Sequence, residues 1–370
     1  MSRPSHIVVV GAGIIGCSVA YELARRGAAV QIVDERPAGT GATQASAGIL
    51  APYIEADGKF LDLTVRSLNL FDEFVAHISS DSGIAIPYRR TGTLQVATDA
   101  DQMTALRNRA ARLDAQGVRC AVLDARGARV EEPRLGADVA GAVLMPTHGF
   151  VVVGELMRAL AIAVGAHGAR LIQGGRVRRI SRSVESLTVE TDRGQLTGDA
   201  VVLAAGSWCS EIEIAGITGR IPVRPVRGQL LRLAWSGPTL RRVTWSDRCY
   251  LVPWDDGTLL VGATVEEAGF DERTTAAGVR DLLAAACELV PLASTAGFLG
   301  ARVGLRPATS DELPVIGRSR AVPGLMYAGG HYRNGVLLAP LTARLVADAL
   351  LDNVIDDVMS ALSPERFGDL

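Results

Sequence analysis

Residues 6–35, HIVVVGAGIIGCSVAYELARRGAAVQIVDE, decide the fold. Residues 7–10 are all β-branched and apolar, as in a strand buried on both faces. From Ile14 to Arg26 apolar side chains recur at the helical period until Gly27, and a second strand at 29–33 ends on Asp34. Strand, glycine turn, helix and strand make a βαβ unit. Gly11 permits the tight turn, Gly13 lets a pyrophosphate approach the backbone, and Gly16 lets helix and strand lie close. The helix start offers N–H donors and a favourable dipole to phosphates. Asp34, 23 residues beyond Gly11, stands where an acid accepts from ribose hydroxyls and favours a bare 2′-hydroxyl. A dinucleotide site is expected here; the motif alone does not choose between nicotinamide and flavin nucleotides.

With 370 residues the chain has room for two domains or one large one. A net charge of −2, with acids and bases mixed, points away from nucleic acid and membrane surfaces. Arginine carries the positive charge. Lys59 is the single lysine, in the undistinguished stretch EADGKFLDL, which disfavours Schiff-base chemistry. Cys17, Cys120, Cys209, Cys249 and Cys287 are scattered and without a CxxC, so they read as reduced thiols. The five histidines lack metal spacing, and no metal is expected. Without a membrane-length apolar run or a signal-peptide layout, a soluble, cytoplasmic protein is expected.

Further along, the pattern predicts helices at 60–78, 101–116, 153–167, 276–289 and 337–351. Strands are expected at 92–98, 120–124, 169–173, 176–181, 186–191, 199–208 and 325–330. Between 221 and 265 the chain alternates as an antiparallel block, with DDG at 255–257 as a hairpin turn. Parallel-sheet features at both ends around this block imply a discontinuous nucleotide domain interrupted by a sheet-rich one. The loop GTGATQASAGILAP (39–52) is rich in small residues, which let a flat ring lie close to the backbone.

GAGIIGCSVAYELARRG (11–27), ATQASAGILAP (42–52), GLRPATSDELPVIG (304–317) and AGGHYRNGVLLAP (328–340) together resemble the FAD-dependent glycine oxidase and D-amino-acid oxidase family, over residues 6 to about 350. The resemblance implies an α/β fold: a glutathione-reductase-like, FAD-binding Rossmann domain (1–85, 146–220 and 323–370) with an inserted antiparallel-sheet substrate domain (86–145 and 221–322). It implies non-covalent FAD, with Ile14 and Ile15 flanking the pyrophosphate and Asp34 and Glu35 the ribose. Ala42, Thr43, Ala47, Gly48 and Ile49 would meet phosphates and flavin, Val177 the adenine side, and Gly206 also lines the site. His331, Tyr332, Arg333, Asn334, Gly335, Val336 and Leu337 would wrap the isoalloxazine ring, the helix start facing its pyrimidine edge.

On the substrate side, the resemblance makes Arg306 the carboxylate anchor, suited by its planar fork, with Tyr250 adding a second bond. The main chain of Arg333 would meet the amine. Where relatives carry methionine after GAT this chain has Val265, and where histidine is expected before the tyrosine it has Arg248. The implied reaction passes the α-hydrogen as hydride to flavin; the imine hydrolyses to glyoxylate with release of ammonia or an amine, and O₂ gives H₂O₂. Glycine or an N-substituted glycine is the expected substrate, and a homo-oligomer is compatible with the sequence. Alternatives are another small or D-amino acid, an NAD-dependent dehydrogenase on the same N-terminal unit, or a nucleotide-binding module without catalysis.

Overall fold

The computed structural model describes residues 4–55, 58–184 and 186–370; the side chain of Lys59 lies outside the described residues. Its first layer is a six-stranded sheet, in the order Val315–Arg318, Leu325–Gly329, Ala200–Leu203, His6–Val10, Ala29–Asp34 and Arg170–Gln173. All neighbours are parallel except the first pair. His6–Val10 lies between the strand that follows it in sequence and one almost two hundred residues later. The crevice beyond its C-terminal end is thus a topological switch point, where open α/β sheets bind ligands.

Side chains alternate across this sheet. Ile7, Val9, Ile32 and Val202 pack on the helices Ile14–Arg25, Val153–Ala166 and Gly335–Ala347. Val8, Val10, Val201 and Leu203 pack on a four-stranded sheet of Val177–Arg182, Leu187–Thr191, Gly194–Gly198 and Glu213–Ile214. The helix expected at 60–78 is two, Gly58–Asn69 and Phe71–Ser82, meeting at Leu70. The second buries its own stripe of Phe71, Val75 and Ile78.

A second layer is an eight-stranded sheet, in the order Gly297–Ala308, Arg224–Ala234, Thr258–Gly262, Tyr250–Pro253, Val243–Trp245, Thr93–Ala97, Gly141–Met145 and Ala121–Asp124. One face, with Leu231, Leu233, Leu259 and Val261, packs on the helix Ala276–Leu289. The other, with Leu230, Val243, Val252 and Leu260, packs on Ala47 and Phe150. The cleft between the layers therefore opens on the glycine-rich loop.

Three expectations change. Gly297–Ala308, twelve residues long, is not legible as a strand because Gly297, Gly300 and Gly304 interrupt its alternation. Val315–Arg318 pairs with Leu325–Gly329 in the six-stranded sheet, so the nucleotide layer resumes before the expected 322/323 boundary. The last helix starts at Gly335, not Leu337, and ends in a wider π turn over Asp348–Asp352.

Candidate active site

The cleft encloses about 520 Å³, within the ~300–1,000 Å³ range of cofactor pockets. At its nucleotide end an added Cβ on Gly11 (φ +107°) would lie 2.4 Å from the Ala204 carbonyl, and one on Gly48 (φ +71°) 2.0 Å from that of Val151. Only glycine fits either place. Gly16 does not line the cleft; its Cβ would meet the Gly11 carbonyl at 1.9 Å, so its role is to seat helix on strand. Asp34 accepts from Ala12 N–H through Oδ2 (2.7 Å) and from Arg36 N–H through Oδ1 (2.8 Å), which holds its carboxylate at the cleft wall.

Two helix starts meet here. Ile14–Arg25 opens from Gly13 without a side-chain cap; Thr43 Oγ1 accepts the Ile14 N–H at 3.1 Å. Gly335–Ala347 opens from Asn334, also uncapped and without an acid in its first turn. A Cβ on Gly335 would lie 3.9 Å from Ile14 Cγ2, so both positive ends face one space. Tyr332 (φ +47°) turns the chain into this helix, and its N–H donates to the Pro307 carbonyl at 2.9 Å. The His331 imidazole faces away from the cleft, sharing a 3.0 Å hydrogen bond with Thr342 Oγ1, so His331 presents backbone to the site. Leu337, expected in the wrap, does not line the cleft: its side chain is buried and its carbonyl is taken by Ser67.

At the other end of the cleft, Arg306 comes from the edge strand. Nη1 donates to the Thr264 carbonyl at 2.9 Å, and among the described residues it forms no ion pair. The guanidinium lies over Gly228, where a Cβ would be 2.3 Å away. Tyr250 has the same support: a Cβ on Gly262 would touch its ring at 2.3 Å, and the Trp245 ring packs against it in a tilted arrangement with centroids 5.1 Å apart. Glycines inside strands signal close approach, and Gly228 and Gly262 carry that signal. Behind Arg306 lies a polar network not expected from the motifs. The buried Arg227 binds Glu266 Oε2 (2.5 Å) and Asp271 (3.0 Å), while Glu266 Oε1 accepts from Gln229 (2.7 Å) and Thr264 (2.5 Å). It fixes the loop after Gly262, whose Thr264 carbonyl holds Arg306.

Val265 is half exposed and lines the cleft, as does Arg333. Arg248 sits at the rim with its guanidinium on Glu288, directed away from the expected amine side. Glu35, Ala42, Ala47, Ile49, Val177, Gly206 and Val336 all line the cleft. Arg36 and Trp208, not expected from the motifs, close the ribose side: Arg36 pairs with Glu272 (2.8 Å) and stacks on Trp208 at 4.5 Å. Burial lifts the Cys249 thiol to about 11, which makes it a poor nucleophile at neutral pH.

The model of the FAD dependent oxidoreductase family matches residues 6–349. The chain belongs to that family. FAD is its cofactor, and the NAD-dehydrogenase and non-catalytic alternatives fall away. The glycine cradle and the two helix starts that face the cleft fit a flavin dinucleotide. The family member ThiO/ThiG of Synechocystis sp., a bifunctional protein, is 35% identical over 99% of this chain, which spans 55% of that protein's length. The crystal structure of glycine oxidase from Geobacillus kaustophilus superposes with a TM-score of 0.93 at 32% identity, covering 99% of both chains. Iminodiacetate oxidase from Chelativorans sp. BNC1 superposes with a TM-score of 0.88 at 28% identity, covering 97% of this chain and 98% of that one. Among the described residues no group of side chains suits a metal ion, and no helix is long and apolar enough to cross a membrane.

Proposed function

We propose that this oxidoreductase oxidises the Cα–N bond of glycine or an N-substituted glycine. The observation that carries the reading is the Arg306 fork, held in the cleft by a backbone carbonyl, beside Tyr250 and without a carboxylate of its own. A cation so placed suits a bidentate substrate carboxylate. Arg306 and Tyr250 would fix the carboxylate, which leaves the α-carbon as the atom directed at the flavin end of the cleft. That alignment is the chain's main contribution to rate. FAD, when bound, would supply the hydride acceptor and the two-electron path to O₂ that yields H₂O₂. Water hydrolyses the imine to glyoxylate with ammonia or an amine.

The nucleotide layer would serve as the FAD-binding domain and the eight-stranded layer as the substrate domain. The Val265 side chain is short and half exposed, and Arg248 is turned to Glu288, so the amine side is open. The similarity to glycine oxidase and iminodiacetate oxidase supports both substrate forms. Peroxide release from glycine, sarcosine and N-ethylglycine tests this: kcat/KM for the N-alkyl substrates should equal or exceed that for glycine. A steady fall along the series would leave glycine as the substrate and refute the open amine side. Arg306→Lys should raise KM strongly and slow anaerobic flavin reduction, because a point charge cannot reproduce the fork. Wild-type affinity and reduction rate in that variant would remove Arg306 as the anchor.

A further inference from the structure

The helix Gly335–Ala347 carries Pro340 in its second turn. Proline has no N–H to give the Val336 carbonyl four residues back, and its ring crowds that carbonyl. The first turn, the one at the cleft, is therefore joined to the rest of the helix more weakly than usual. Ser67, fully buried on the helix Gly58–Asn69, lies beside this gap. Its hydroxyl donates to the Leu337 carbonyl at 2.6 Å and accepts the Leu341 N–H at 3.3 Å. It thus spans the carbonyl and N–H that flank Pro340 and are helical partners of each other. Thr64, also fully buried on the same helix, gives its hydroxyl to Leu61 of its own backbone. Ser67 instead serves another helix.

We propose that Ser67 is a positioning residue for the cofactor. It splints the first turn across Pro340, so that the uncapped N–H groups and positive end stay aimed at the flavin's pyrimidine edge, where negative charge develops on reduction. This rests on the reading above, which puts that edge at Gly335. Because the splint acts through helix orientation, it should govern the charge preference of the bound ring more than substrate binding.

Sulfite titration of the holoenzyme, followed by flavin absorbance, reads this property directly, since the adduct is anionic. Ser67→Ala should keep bound flavin and the substrate KM but raise the sulfite Kd roughly 3- to 10-fold, the scale of one lost hydrogen bond. Pro340→Ala returns an N–H to the Val336 carbonyl, so the Ser67→Ala/Pro340→Ala double variant should bind sulfite close to wild type, a non-additive result. Ser67→Cys keeps similar volume with a weaker hydrogen bond, and should show the rise should the alanine variant not fold. Wild-type sulfite affinity in Ser67→Ala or Ser67→Cys, or an equal loss with and without Pro340, would overturn the proposal. Wild-type protein purified without flavin would instead defeat the functional reading on which it stands.

Discussion

At the scale of single residues, two side chains that line the cleft, Tyr250 and Arg306, owe their placement to an absence of side chain opposite them. Tyr250 lies over Gly262 and Arg306 over Gly228, each where a Cβ would come within 2.3 Å. Gly262→Ala should push the Tyr250 ring aside, raising KM while leaving flavin retention intact. Comparing KM with the flavin-to-protein absorbance ratio checks this, and an unchanged KM would show that the ring does not meet substrate. Asp34 is different, because its carboxylate also serves the protein's own backbone, accepting from Ala12 and Arg36. Asp34→Ala should weaken FAD binding by about 1–3 kcal/mol, on the scale of charge-assisted hydrogen bonds. Equilibrium dialysis against FAD measures it, and undiminished affinity would refute the ribose role.

At the scale of elements, the loop from Ala263 to Thr275 connects the eight-stranded sheet to both ends of the cleft, through Thr264 to Arg306 and through Glu272 to Arg36. Glu266 is its pivot, binding Arg227, Gln229 and Thr264, and Arg227 is only 7% exposed. Glu266→Ala would leave Arg227 with Asp271 as its remaining carboxylate partner and would unpair Gln229 and Thr264, so stability should fall by about 1–3 kcal/mol; Glu266→Gln keeps the bonds to Arg227 and Thr264 in part and should lose less. Chemical denaturation of the two variants tests the ordering, and equal losses would contradict it. The sequence showed the N-terminal βαβ unit because glycine spacing, a buried strand and Asp34 are local features. It hid the strand Gly297–Ala308, and with it the sheet setting of Arg306, because Gly297, Gly300 and Gly304 erase the period-two pattern, Gly304 lying against Ala42 and Ala45 of the glycine-rich loop. Arg248 lines the cleft, but its motif position does not show that Glu288, forty residues on, pairs with its guanidinium. Long-range pairings such as Arg36 with Glu272 and Ser67 with Leu337 leave no mark on either segment alone.

At the scale of the whole molecule, two buried histidine rings have to remain uncharged. His148 is fully buried between Thr93 Oγ1 at 2.8 Å and the Tyr53 N–H at 3.4 Å, and burial pulls it down to about 3. His331, at the turn into the cofactor-facing helix, is likewise pulled to about 3 by burial. One sits on the eight-stranded side and the other at the junction with the six-stranded sheet, so protonating either would charge the interior of a different layer. In the unfolded chain both titrate near the ordinary value of about 6.5. The unfolded state therefore binds more protons between about pH 6.5 and 3, and stability contributed by the neutral rings is complete above that window and lost as pH falls through it. Each ring should steepen the acid limb by up to ~1.4 kcal/mol per pH unit. His148→Gln, which keeps polar atoms but cannot gain the proton, should flatten the fall in unfolding free energy between pH 6 and 4 even where it lowers stability at pH 7.5. Denaturant titrations of wild type and variant across that range measure the slopes. Parallel slopes would mean that His148 does not set the acid limit, and the carboxylates lowered by their partners, such as Asp81 held by Tyr21 and His167, would have to account for it.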